Sequence, residues 1–218
     1  MKKYILCYGD SNTHGYNPVN GFRYGENIRW TGRMAAILGE DYKIIEEGLN
    51  SRTTDLKPEG EPWRSGLYYL EPCIRTHMPL DLVILMLGSN DMKRQFAQTE
   101  ETIGNNIRRL IRKIRQVSSE KSEDGSPGRI LLVSPPLISK DICRFGPDDE
   151  FGGMRAVELS GRLAPVYQRI AEEEGCDYLD AAKVTAAGVF DGLHLDEKGH
   201  EKLAVAMAEK VRSIYGGI

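Results

Sequence analysis

Five short apolar runs, Tyr4 to Tyr8, Tyr42 to Glu46, Leu82 to Leu87, Ile130 to Val133 and Asp177 to Leu179, are separated by longer stretches with apolar residues at helical steps. Runs of this length suit strands buried on both faces, and the segments between them suit the helices that cover those faces. The clearest helix carries Ile103, Ile107, Leu110, Ile111, Ile114 and Val117 on one side and Arg108, Arg109, Arg112, Lys113 and Arg115 on the other, a basic side read as a solvated face. Similar patterns cover Trp30 to Leu38, Val157 to Ala171 and Glu197 to Ile214. The alternation predicts an α/β chain folded as a three-layer α/β/α sandwich with about five parallel strands. At 218 residues it is expected to form one domain over 1–218. Residues 57–66 and 118–128, rich in Gly, Pro, Ser and charge, read as loops.

Charge narrows the partners. With 29 basic against 32 acidic side chains the formal net charge is -3, no field for nucleic acid or an anionic membrane, so a small-molecule partner is expected. Cys7, Cys73, Cys143 and Cys176 lie far apart with no CxxC pair, which favours reduced thiols. The apolar run after Lys2 and Lys3 is shorter than the ~7 to 15 residues of a secretory leader. No stretch approaches the ~18 apolar residues of a membrane span. A cytoplasmic location without membrane attachment is the expectation.

In parallel sheets ligands sit outside the carboxyl ends of the strands. Gly9-Asp10-Ser11, Gly48 and Gly88-Ser89-Asn90 each follow one of the predicted strands, so three motifs converge on one edge. Alone, each has a bland reading: Asp10 or Ser11 capping a helix, Gly48 ending a strand, Asn90 closing an Asx turn. Asp191-Gly192-Leu193-His194 changes the balance. A serine hydroxyl needs an imidazole to take its proton and a carboxylate to orient that imidazole, and Ser11, His194 and Asp191 supply the three. Gly48 and Asn90 could then present N–H donors to a developing oxyanion. A Gly-x-Ser-x-Gly elbow is absent, because Thr13 stands two residues after Ser11. A metal site from Asp191, His194 and His200 lacks a compact ligand pattern, and no metal or cofactor is expected. A non-catalytic flavodoxin-like binding module is the alternative of another class, although no GxGxxG or GxxxxGK[ST] follows the first strand.

The blocks Gly9-Asp10-Ser11-Asn12, Gly48, Gly88-Ser89-Asn90-Asp91 and Asp191-Gly192-Leu193-His194, in this order, resemble the SGNH or GDSL hydrolase superfamily. Arg29-Trp30-Thr31-Gly32, Ile45-Glu46-Glu47-Gly48-Leu49, Arg52-Thr53-Thr54, Leu80-Asp81-Leu82-Val83-Ile84 and Val133-Ser134-Pro135-Pro136 look like its arylesterase and acyltransferase branch, known from mycobacteria. The resemblance implies a flavodoxin-like SGNH fold and cofactor-free hydrolysis of small-acyl esters through an acyl-serine. It also implies a homo-oligomer, as in the ring-like octamer of the mycobacterial relative. Carried over by position, Ser11 is the nucleophile, His194 the general base and acid, and Asp191 its orienting partner. The oxyanion hole is then the backbone N–H groups of Ser11 and Gly48 with the Asn90 amide.

Asn12, His14 and Asn50 are expected at the substrate pocket. The branch has Leu and Trp where this chain has Asn12 and His14, which predicts a more polar pocket and ranks hydrolysis above acyl transfer, with transfer a side activity. A carbohydrate or metabolite O-deacetylase using the same triad is the alternative within enzymes. Loops around Trp63 and from Arg144 to Gly153 are candidates for substrate contact.

Overall fold

The computed structural model describes residues 2–120, 128–145 and 147–216. Its elements follow in the order β1 (Lys3–Gly9), α1 (Ser11–His14), α2 (Trp30–Leu38), β2 (Tyr42–Gly48), α3 (Gly66–His77), β3 (Leu82–Met86), α4 (Glu100–Ser119), β4 (Arg129–Ser134), α5 (Ile142–Phe145), α6 (Asp148–Phe151), α7 (Met154–Glu174), β5 (Asp177–Asp180) and α8 (Glu197–Ile214). The five strands form one parallel sheet in the order β2-β1-β3-β4-β5, and the strand bounds fall within two residues of the apolar runs. This is the doubly wound order of flavodoxin-like sheets, whose direction of growth reverses between β1 and β3.

Strand alternation builds two cores. Leu6, Tyr8, Val83, Leu85, Ile130 and Leu132 face one side of the sheet and pack with the apolar faces of α3, α4 and α7. Ile5, Cys7, Leu82, Ile84, Leu131 and Val133 face the other, beneath α2 and α8. Both sheet faces are therefore covered, and the central strand β3 is buried along its whole length. The basic side of α4 is more than a solvated face. Arg112 and Arg115 pair with Glu174 of α7 at 2.9 and 3.3 Å, and Lys113 pairs with Glu71 of α3 at 3.3 Å.

Helix α3 departs from the sequence reading, which gave no element there. Pro72 lies inside it and removes one helical N–H, a strong local argument against a helix. Packing decides otherwise: Leu70, Cys73 and Ile74 are buried against the α4 side, and Ser65 caps the helix by accepting the Tyr68 N–H. The loop expected over 118–128 overlaps the end of α4 at Ser118 and Ser119, and 121–127 lie outside the described residues. Among the described residues no helix is long and apolar enough to cross a membrane.

Candidate active site

At the β1–β3 reversal the chain leaves Gly9 and turns at once into the single turn α1. Asp10 caps that turn, its Oδ1 accepting the Asn12 N–H at 3.0 Å. Burial pushes the Asp10 carboxyl up, and its bonds to Asn12 and Ser89 pull it partly back. Ser11 is the first helical residue, so its N–H has no intrahelical acceptor and stays available at the positive end of the turn.

Ser11 meets the loop after β5. The Asp191 carboxylate is an acceptor only, which requires the His194 proton on Nδ1. His194 Nδ1–H donates to Asp191 Oδ2 at 2.5 Å, leaving Nε2 to accept from Ser11 Oγ at 2.9 Å. The other Asp191 oxygen accepts the Leu193 and His194 N–H groups at 3.0 and 2.9 Å, so the three-residue spacing closes into one tight turn. Burial raises the Asp191 carboxyl, but the bonds from the His194 ring and these two amides hold it below the ordinary carboxylate value. The Tyr16 ring lies 4.6 Å from the imidazole, centroid to centroid, and limits its tilt.

The loops after β2 and β3 supply the opposite wall. One Asn90 amide N–H donates to the Arg52 carbonyl at 3.1 Å, which orients the side chain and leaves its second N–H unspent. Ser51 stands beside it in the left-handed region, with φ of 63°, and among the described residues its N–H meets no acceptor. Two buried groups hold this wall. Arg52 stacks over Tyr8 at 4.2 Å and donates to the carbonyls of Gly9, at 3.0 Å, and Glu47, tying β1 to β2. Asp91 accepts from the Thr54 N–H at 2.9 Å and from its hydroxyl. Burial pushes the Asp91 carboxyl up to about 7 despite those bonds.

A cleft of about 440 Å³ opens over these groups, within the usual range for a small-molecule site. Ser11, Asn50, Asn90, Asp191 and His194 all line it, as expected of them. Three expected residues do not. Gly48 ends β2 facing the backbone of α1, where a Cβ would sit 2.1 Å from the His14 amide nitrogen. Glycine is needed there for close packing, and Ser51, three residues on, takes the place on the cleft wall expected for it. Asn12 is buried and spent on the body of the protein. Its Oδ1 accepts the Leu195 N–H at 2.9 Å and its Nδ2 donates to the Leu193 carbonyl at 3.3 Å, clamping the Ser11 turn to the His194 loop. His14 points toward β2, beside Gly48, Arg23 and Glu46; burial and then Arg23 lower its pKa. Polarity at positions 12 and 14 therefore does not set the polarity of the cleft.

The lining holds residues that the motifs did not announce. Tyr16, Pro18, Phe151, Phe190 and Leu193 are apolar, whereas Ser51, Lys93 and Glu150 are polar, with Lys93 Nζ paired to Glu150 at 2.6 Å. Pro147, Glu150 and Phe151 belong to the 144–153 segment read as substrate contact; Trp63 is half exposed and outside the cleft. Asp191 and His194 are engaged with each other, and His200 is buried with Nδ1 accepting the Trp30 N–H at 3.3 Å, so these three do not form a ligand set.

The model of the GDSL-like lipase/acylhydrolase family matches residues 7–202. The chain belongs to this family. The aryl esterase of M. smegmatis is 37% identical, with a TM-score of 0.88 over 97% of this chain and 99% of that one. Est24, described as a carbohydrate acetylesterase from Sinorhizobium meliloti, is 34% identical, with a TM-score of 0.90 over 98% and 100% of the two chains. An acetylxylan esterase of Xylanibacter ruminicola is 23% identical over 216 residues, which is 95% of this chain but 43% of that protein. This chain thus spans less than half the length of that relative.

Proposed function

We propose that this chain hydrolyses small-acyl esters, acetyl esters first among them, with Ser11 as nucleophile, His194 as general base and acid, and Asp191 as its orienting partner. The observation that carries this reading is the unbroken line from Ser11 Oγ through His194 to Asp191, 2.9 and 2.5 Å, at the floor of the cleft. Ser11 attacks the ester carbonyl as His194 Nε2 takes its proton. The tetrahedral oxyanion is received by the N–H groups of Ser11 and Ser51 and the free N–H of Asn90. His194 gives the proton to the departing alcohol, and a water activated by the same nitrogen then frees the acid from Ser11.

Two finer readings belong with it. The similarity to Est24 and to the acetylxylan esterase, together with Asn50, Lys93 and Glu150 in the cleft, favours an acetylated carbohydrate or similar hydroxyl-rich leaving group. The aromatic and aliphatic lining from Tyr16, Phe151 and Phe190 favours some transfer of the acyl group to alcohols. A homo-oligomer is proposed as well, supported by exposed Val19, Phe22, Val189 and Phe190 in the segments that flank the cleft. Light scattering reads that state directly.

Hydrolysis of p-nitrophenyl acetate, butyrate and octanoate by wild type and Ser11→Ala tests the central reading. Turnover should fall with chain length and drop by about 10⁶-fold in Ser11→Ala with the circular dichroism spectrum unchanged. Equal rates in the two proteins would sink it.

A further inference from the structure

Outside the cleft, one cluster gathers three ligating side chains of different chemistry. Glu47 sits near the end of β2, and Cys73 and His77 lie one turn apart on α3, on the face that packs toward the strand. Their carboxylate oxygen, thiol sulfur and imidazole nitrogen all lie within 4.8 Å of one another, with Glu47 Oε1 and His77 Nε2 at 2.9 Å. Among the described residues no other group of three or more such side chains comes together in this way, and none of the three lines the catalytic cleft. The site is empty.

We infer that Glu47, Cys73 and His77 form a binding site for a borderline-soft divalent cation, with Zn²⁺ the best fit. The donor set decides the class. Ca²⁺ and Mg²⁺ take oxygen ligands, whereas thiolate with imidazole and one carboxylate suits Zn²⁺. Distance agrees. Bond lengths of about 2.0 to 2.3 Å in a tetrahedron put ligand atoms roughly 3.3 to 3.7 Å apart, so small side-chain rotations suffice. Access agrees too: Cys73 is fully buried, but the His77 and Glu47 side chains are 27% and 20% exposed, so the cluster is reached from solvent on that side. On binding, the Glu47–His77 hydrogen bond gives way to two metal bonds, the imidazole proton resides on Nδ1, and Cys73 releases one proton to solvent.

The location gives the ion a structural consequence. The Glu47 carbonyl accepts from Arg52, so the cation would pin the strand end from which the Ser51 loop springs and join it to α3.

The test uses the full chain, stripped with a chelator and then titrated with ZnCl₂ by calorimetry and with CoCl₂ by absorption. One Zn²⁺ per chain, a thiolate-to-cobalt charge-transfer band and a rise in Tm with Zn²⁺ are expected. Cys73→Ser should abolish the band, His77→Gln should weaken binding by at least ~10-fold, and Cys143→Ser, which changes an exposed cysteine, should alter neither. No bound Zn²⁺, or binding that survives both Cys73→Ser and His77→Gln, overturns the inference. If Cys73→Ser does not fold, His77→Gln at the accessible edge and the band in wild type still decide.

Discussion

The two walls of the cleft are anchored differently. Behind Asn90 and Ser51 stand Arg52, Thr54 and Asp91, none more than 2% exposed, whose bonds join the ends of β1, β2 and β3 into one polar block. His194 and Asp191 ride on a short loop tied down by Asn12, by the Gly188 N–H to the His194 carbonyl at 2.7 Å and by the Ser139 N–H to the Gly192 carbonyl at 2.8 Å. Beside that loop Val189 is 76% exposed and Phe190 48%. The contrast follows the chemistry. Donors proposed to stabilise an oxyanion act best when they need no reorganisation, which suits the wall clamped by Arg52, Thr54 and Asp91. In the proposed cycle the imidazole gives a proton to the departing alcohol and then takes one from water, which suits the wall beside the exposed Val189 and Phe190.

Substitutions should separate the walls. The largest effect after loss of the nucleophile is expected at Asp191→Asn, which keeps the shape but donates to Nδ1 and so forces the proton onto Nε2. Turnover should fall by roughly 10⁴-fold with folding intact. A loss of less than tenfold would mean that the loop backbone alone orients the ring. Next comes Asn90→Ala, expected to lower kcat by roughly 10²- to 10³-fold and to leave KM nearly unchanged, because the donor acts on charge that appears only in the transition state. A rise in KM with kcat preserved would move Asn90 to ground-state binding. Ser51→Gly, which keeps the amide and relieves the positive φ, should stay within a few-fold of wild type.

Thr54→Val probes the clamp rather than the chemistry. It removes the hydroxyl bond to Asp91 and should cost about 1 to 3 kcal/mol of stability, read by urea unfolding. With the Asp91 carboxyl near pH 7, the ionised form gains more from that bond than the neutral acid does. The cost should therefore be larger at about pH 8 than at about pH 6. Equal costs at both would show that Asp91 keeps one protonation state throughout.

The unequal legibility of the two walls in the sequence has the same origin. The proposed roles of Ser11, Asp191 and His194 rest on side chains whose types and spacing are visible as letters; β1, β3 and β4 are visible because burial demands apolar runs, whereas the edge strands β2 and β5 are only partly buried and show as shorter apolar stretches among charged residues. The role proposed for Ser51 rests on a backbone N–H, which every residue but proline possesses, and its positive φ leaves no mark in a serine. Asn12 and His14 look like pocket residues only because they neighbour Ser11. On a helical turn successive side chains diverge by about 100°, which turned Asn12 toward the histidine loop and His14 toward β2. Arg52 and Asp91 stand in the blocks that carry the resemblance, but that they are buried anchors emerges only once the fold encloses them. Helix α3 was hidden by Pro72, whose local cost is outweighed by the apolar face it presents to α4.

The smallest expected effect lies beneath the open wall. His200 on α8 is fully buried against Trp30 of α2, whose indole N–H donates to the Asn12 carbonyl at 3.0 Å, so it underlies the turn that carries Ser11. Burial, with a further push from His194 and Arg33 against the pull of Asp196, lowers its pKa to about 4. The unfolded chain titrates this imidazole near 6.5. Between those values the unfolded state holds the proton and the folded state does not, so stability falls as pH drops through that window. From pH 7 to 5.5 the loss assigned to His200 is about 1 kcal/mol. His200→Gln cannot titrate, so the stability advantage of wild type over this variant should shrink by that amount over the same interval. An advantage that stays constant with pH would show that the folded ring takes up its proton as readily as the unfolded one, and that burial against Trp30 does not hold it neutral.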